Sequence, residues 1–142
     1  MKFGDVIPDV PYRRRNAVYA VVFDDKKEKV AVMTVNGKGF LPGGGMNEYE
    51  EKEKCLNREC IEETGFSLEI QGYIGQAKQY FQSSKNEYIM NNGYFYTGVF
   101  GDFIKVPIDE DHELVYMDLK QAEEILLHRS HIWAVKNAFG YR

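Results

Sequence analysis

The stretch LPGGGMNEYEEKEKCLNRECIEETGF, residues 41–66, constrains the fold of this chain more than any other segment. Pro42 and three consecutive glycines, Gly43, Gly44 and Gly45, exclude regular helix at its start. Asn47 followed three residues later by Glu50 has capping-box spacing, and Gly65 suits the left-handed residue that closes a helix. The pattern predicts a loop and then a helix over roughly 48–64. A glycine loop opening a helix is also a common way to hold phosphate.

The charge in this segment is unusual. Residues 48–63 contain seven glutamates and three basic residues, in a chain with 22 acidic and 18 basic side chains. The net −4 of the whole chain therefore resides in that segment, and the remainder is balanced. A mildly acidic chain has no general attraction for nucleic acid or anionic membrane, so a polyanionic partner would need a local device.

At 100° per residue, Tyr49, Leu56 and Cys60 fall on one side of the predicted helix and can pack on a sheet. Glu59, Glu62 and Glu63 project together within roughly 100° of arc on an adjacent side. Only Glu62 has a basic neighbour one turn away, Arg58, in the less favourable order. On an exposed helix such repulsion costs only about 0.2–0.5 kcal/mol per pair, so charge alone leaves a solvated acidic face as an equal reading. In a cleft of effective dielectric near 20, two carboxylates about 6 Å apart repel by roughly 3 kcal/mol, which a hard divalent cation would relieve. Oxygen ligands without nitrogen or sulfur suit Mg²⁺ or Mn²⁺.

The rest of the chain supplies the frame. AVYAVVF (17–23) and VAVMTV (30–35) flank the polar DDKKEK and predict a hairpin. Residues 67–81, 93–100 and 113–118 are further extended stretches, while 119–127 and 131–139 have helical apolar periodicity. These elements predict a mixed β-sheet covered by helices, an α/β/α sandwich of the α/β class. A length of 142 residues with 44% apolar content suits one domain over 1–142. Neither a membrane-spanning run nor a signal segment is evident, which favours a cytoplasmic location. Cys55 and Cys60 lie five residues apart on one helix, about 7.5 Å along its axis, and are expected as free thiols.

From Gly44 to Phe66 the residues read G-x5-E-x7-R-E-U-x-E-E-x-G-U, where U is a bulky apolar residue and Cys60 stands at the first U. This resembles the Nudix box of MutT-like hydrolases. Seven fixed identities over 23 positions match by chance about once in 10⁹ windows at equal residue usage. Cysteine replaces the usual larger aliphatic residue at position 60, a change of packing rather than chemistry. The order of hairpin, GFLPGG, box helix, strands and closing helix resembles the whole Nudix domain.

The resemblance implies an enzyme of phosphoric anhydride bonds, a divalent-cation-dependent pyrophosphohydrolase whose substrate is a nucleoside diphosphate linked to another group. Small nucleotides fit this: a modified nucleoside triphosphate, a nucleotide sugar, ADP-ribose or a dinucleoside polyphosphate. It further implies that Glu59, Glu62 and Glu63 bind metal with the carbonyl of Gly44, that Glu59 is a candidate base, and that Arg58 and Glu50 brace the loop against the helix. Another carboxylate often precedes the last strand in this family, for which Glu110 and Glu113 are the first candidates. Arg14 and Arg15, from the run of three arginines at 13–15, are candidates for substrate phosphate, and Tyr80 and Phe81 for base stacking. His128 and His131 lack the HExxH spacing and, beside Trp133, suggest packing at the last helix. A nucleotide-sensing module without catalysis is the alternative; it would be expected to have lost box carboxylates, and none is lost. Long nucleic acid is disfavoured for want of a basic groove, and a homodimer is compatible with the sequence.

Overall fold

The apolar run at 17–22 is buried on both faces, and this decides the layering. In the computed structural model, which describes residues 1–107 and 111–140, the run forms most of β2 (Arg13–Val22). Ala17, Tyr19 and Val21 face one apolar cluster; Val18, Ala20 and Val22 face another. A strand with two apolar faces needs cover on both. Helix α1 (Lys52–Thr64) brings Cys55, Leu56 and Cys60 to one side. Helices α2 (Leu119–Ile125) and α3 (Arg129–Ala138) bring Ala122, Ala134 and Val135 to the other. The expected α/β/α sandwich is formed.

Two sheets make the middle layer. β1 (Lys2–Phe3), β6 (Phe66–Gln82), β7 (Tyr88–Phe103), β2 and β5 (Gly43–Gly45) lie in that order. This sheet is mixed: β1 with β6 and β2 with β7 are parallel, whereas β6–β7 and β2–β5 are antiparallel. β4 (Lys38–Phe40), β3 (Val30–Val35) and β8 (Glu113–Met117) form a separate antiparallel sheet. Both cysteines are buried free thiols.

Two expectations need correction. Residues 17–35 are not a hairpin: β2 takes β7 and β5 as partners, β3 takes β4 and β8, and only a bridge between Phe23 and Val30 links the two strands. Asp24 turns the connection by accepting hydrogen bonds from the Glu28 and Lys29 N–H groups at 2.9 and 3.0 Å. Helix α1 also begins at Lys52 rather than 48, because Tyr49 has a left-handed φ of 64°. Of the capping box only the reach-back forms, with the Asn47 N–H donating to Glu50 Oε1 at 2.9 Å, while the N-cap is Glu51. Tyr49, expected to pack beside Leu56 and Cys60, is instead 95% exposed. Gly65 closes the helix as expected, with φ 85° and its N–H donating to the Ile61 carbonyl at 2.9 Å.

Candidate active site

Strand β5 brings the glycine loop against α1. Gly43 and Gly44 pair with Tyr19 and Val18 of β2. At φ 143°, a side chain on Gly43 would strike the Val18 carbonyl oxygen. At Gly44 the neighbour is a side chain: a Cβ there would lie 2.5 Å from Glu59 Oε2, so any larger residue would displace that carboxylate. Only a residue without a side chain lets the loop backbone approach this carboxylate so closely. The Glu59 side chain is 16% exposed. Burial pushes its pKa above the ordinary carboxylate range; Arg58 opposes that shift and the charge of Glu62 adds to it.

Arg58 organises three carboxylates. Its Nε and Nη2 donate to Glu50 Oε2 and Oε1 at 2.7 and 2.9 Å, a bidentate pair that ties the loop to the helix. Its Nη1 donates to Glu59 Oε1 at 3.1 Å and to both oxygens of Glu62 at 3.2 Å. Pairing on the helix therefore reaches Glu59 as well as Glu62, which turn spacing alone does not reveal. The Arg58 hydrogen bonds, with the Asn47 N–H second, hold the Glu50 carboxyl down at about 2. Among the described residues no three acidic, histidine or cysteine side chains are drawn into a ready cation cage. Glu63 stands one turn beyond Glu59 on the same helix.

A family model of the NUDIX domain matches residues 13–137, which contain both the loop and these carboxylates. The chain belongs to the Nudix family. Nudix hydrolase 4 of Arabidopsis thaliana is 30% identical over 125 residues, covering 87% of this chain and 59% of that protein. The chain thus spans about three-fifths of the length of that curated relative. A NUDIX hydrolase from Nitrosomonas europaea superposes with a TM-score of 0.74 at 15% identity, covering 90% of each chain. A MutT NUDIX hydrolase from Burkholderia pseudomallei has a TM-score of 0.70 at 21% identity, over 87% of this chain and 97% of that one. At these identities the structural likeness is one of fold.

The three arginines that open β2 diverge. Arg13 pairs with Glu87 at 3.0 Å on the surface, and Arg14 is exposed. Arg15 is half-buried, its Nη1 donating to Asn91 Oδ1 at 2.9 Å and to the Tyr19 hydroxyl at 3.2 Å. Asn91 also donates to that hydroxyl, at 3.1 Å. Arg15 lies against Gly45, where a built Cβ would be 3.2 Å from Nη2, and its charge acts on Glu59. The arginine stretch and residues 45–50 line an open cleft of about 650 Å³ beside the box.

The remaining candidates lie elsewhere. Tyr80 meets Tyr12 edge-on at 5.1 Å, and Phe81 packs on His128 at 4.8 Å. Glu113 pairs with Thr34 on the three-stranded sheet; its neighbour Leu114 is the residue that packs on the α1 side. Strand alternation therefore turns Glu113 to the other face. Glu110 is outside the described residues. His131 is fully buried and structural: its Nδ1 accepts from the Leu41 N–H at 3.2 Å, at the head of the glycine loop. This anchor has no local sequence signal, since its partner is 90 residues away.

Nudix hydrolases generally use divalent cations. The residues present fit one. The donors facing the loop are carboxylate oxygens, Glu59 is pressed against the Gly44 backbone, and burial leaves its charge undercompensated. No helix among the described residues is long and apolar enough to cross a membrane.

Proposed function

We propose that this chain is a divalent-cation-dependent pyrophosphohydrolase that cleaves a nucleoside diphosphate linked to another group, and that residues 1–142 form one such domain. The contact between the Gly44 backbone and the part-buried carboxylate of Glu59 carries this reading. A residue without a side chain lets the loop backbone meet the Glu59 carboxylate, and together they offer oxygen ligands to a hard cation.

In this reading Glu59, Glu62, Glu63 and the Gly44 carbonyl hold Mg²⁺ or Mn²⁺. The cation, when bound, neutralises the diphosphate and acidifies a water. Glu59 has the second role of candidate base, supported by an upward-shifted carboxyl group suited to accepting a proton. Arg58 and Glu50 keep loop and helix in register, while Arg15, with Arg14 beyond it, faces the phosphates.

The test is phosphate or nucleotide release from modified nucleoside triphosphates, nucleotide sugars, ADP-ribose and dinucleoside polyphosphates, with Mg²⁺ or Mn²⁺ against EDTA. Cation-dependent turnover lost in a folded Glu62→Gln variant is expected. Turnover unchanged by that variant or by EDTA would overturn the proposal.

A further inference from the structure

Tyr49 adopts a backbone conformation that its side chain disfavours. Its φ of 64° is left-handed, where a bulky residue is an outlier, and such outliers concentrate at ligand sites. The neighbouring Glu50 enforces it, since that carboxylate is held both by Arg58 and by the Asn47 N–H, and the Glu50 N–H donates to the Asn47 carbonyl at 3.2 Å. The tyrosine ring is 95% exposed, with no ring or hydrogen-bond partner among the described residues. It is nevertheless part of the wall of the arginine-lined cleft beside the box. The other aromatic candidates, Tyr80 and Phe81, are already in ring contact with Tyr12 and His128.

We propose that Tyr49 stacks on the base of a nucleotide whose phosphates lie along Arg14 and Arg15, making this cleft the subsite for the nucleoside end of the substrate. The assignment rests on the reading of the box carboxylates as the reacting centre. Arg15, against Gly45 and acting on Glu59, is where the phosphate chain meets that centre. Of the acidic groups in the wall, Glu50 is compensated by Arg58, whereas Glu48 is solvent-exposed. A base stacked on an aromatic ring is recognised by its π-face, so the subsite tolerates different bases.

The experiment is calorimetric binding of the α,β-methylene analogues of ATP and GTP, with Mg²⁺, to wild type, Tyr49→Phe and Tyr49→Gly, together with melting temperatures. Tyr49→Phe keeps the ring and binds within about twofold of wild type. Tyr49→Gly loses stacking and weakens binding by roughly tenfold to a hundredfold. It melts no lower than wild type, because glycine accepts the left-handed backbone. Binding unchanged in Tyr49→Gly, or no binding of either analogue to wild type, would overturn the proposal. Binding through Tyr49 without turnover of any nucleotide would sink the hydrolase reading and leave this one standing. Turnover with KM unmoved by Tyr49→Gly would do the reverse.

Discussion

The glycine loop is pinned at two places by pins of opposite kind. At its head the Leu41 N–H donates to His131, a fully buried imidazole. Three residues on, the Gly44 backbone rests against Glu59, a part-buried carboxylate beside Arg58. Burial acts on both, pushing His131 well below the ordinary imidazole range and Glu59 above the carboxylate range. His131 responds by staying neutral and serving the backbone; its Nε2 finds no partner among the described residues. Glu59 instead keeps part of its carboxylate exposed beside Arg58 and the charge of Glu62, which is where the proposed cation would compensate it. The same desolvation thus yields structure at one end of the loop and a candidate for chemistry at the other, and the difference is access to solvent and to compensating charge.

If this contrast holds, substitutions at the two pins have opposite signatures. Glu59→Gln is expected to lower kcat by about 10²–10³-fold, the equivalent of several kcal/mol of charge stabilisation, with unchanged or raised melting temperature because a buried charge is removed. Steady-state kinetics and thermal melts on the same sample check it. Arg58→Lys keeps the charge but loses the bidentate grip on Glu50, and is expected to weaken cation affinity roughly 10–100-fold, as read by Mn²⁺ titration.

At the other pin, His131→Phe keeps an aromatic ring, slightly larger than imidazole, but orphans the Leu41 N–H. It is expected to lower stability by about 1 kcal/mol in denaturant melts, with loss of the unpartnered Nε2 offsetting part of the cost, and to leave the kcat of folded protein within about threefold. The smallest effect is in pH. His128 is held at about 4 by burial and by the charge of Arg15, and His131 lower than its ordinary value for the same first reason. As pH falls from about 6.5 the unfolded chain binds protons that the folded chain refuses, so the stability present above that pH is lost on acidification. Melting temperature against pH is expected to be flatter in His131→Phe. Glu59 acts with the opposite sign, since a raised carboxyl pKa makes the folded form gain protons first, and Glu50, held at about 2, loses its contribution only at the acid extreme.

Features carried by local chemistry were legible in the sequence. The buried strand at 17–22, the extended stretches at 67–81 and 93–100, both C-terminal helices and the box all appear where apolar period and residue spacing put them. What escaped depends on partners distant in the chain. Helix α1 starts later than the capping pattern predicts because Tyr49 takes a left-handed φ, and Glu50, which accepts from the Asn47 N–H as that pattern expects, is also gripped by Arg58 eight residues on. Tyr49 was misplaced with it, so an aromatic that belongs to the cleft read as core. The apparent hairpin failed because strand pairing is settled by burial of both faces of β2, which places β7 rather than β3 beside it. Among the arginines, Arg15 is set apart by its contacts with Asn91, 76 residues away, with the Tyr19 hydroxyl and with Gly45.

The most direct test of the account is Mn²⁺ binding, measured by titration calorimetry on wild type, Glu62→Gln and His131→Phe at the same pH and salt. Stoichiometric binding is expected for wild type and His131→Phe, weakened at least tenfold in Glu62→Gln while that variant stays folded. Equal affinity in Glu62→Gln and wild type would contradict the claim that the box carboxylates hold the cation.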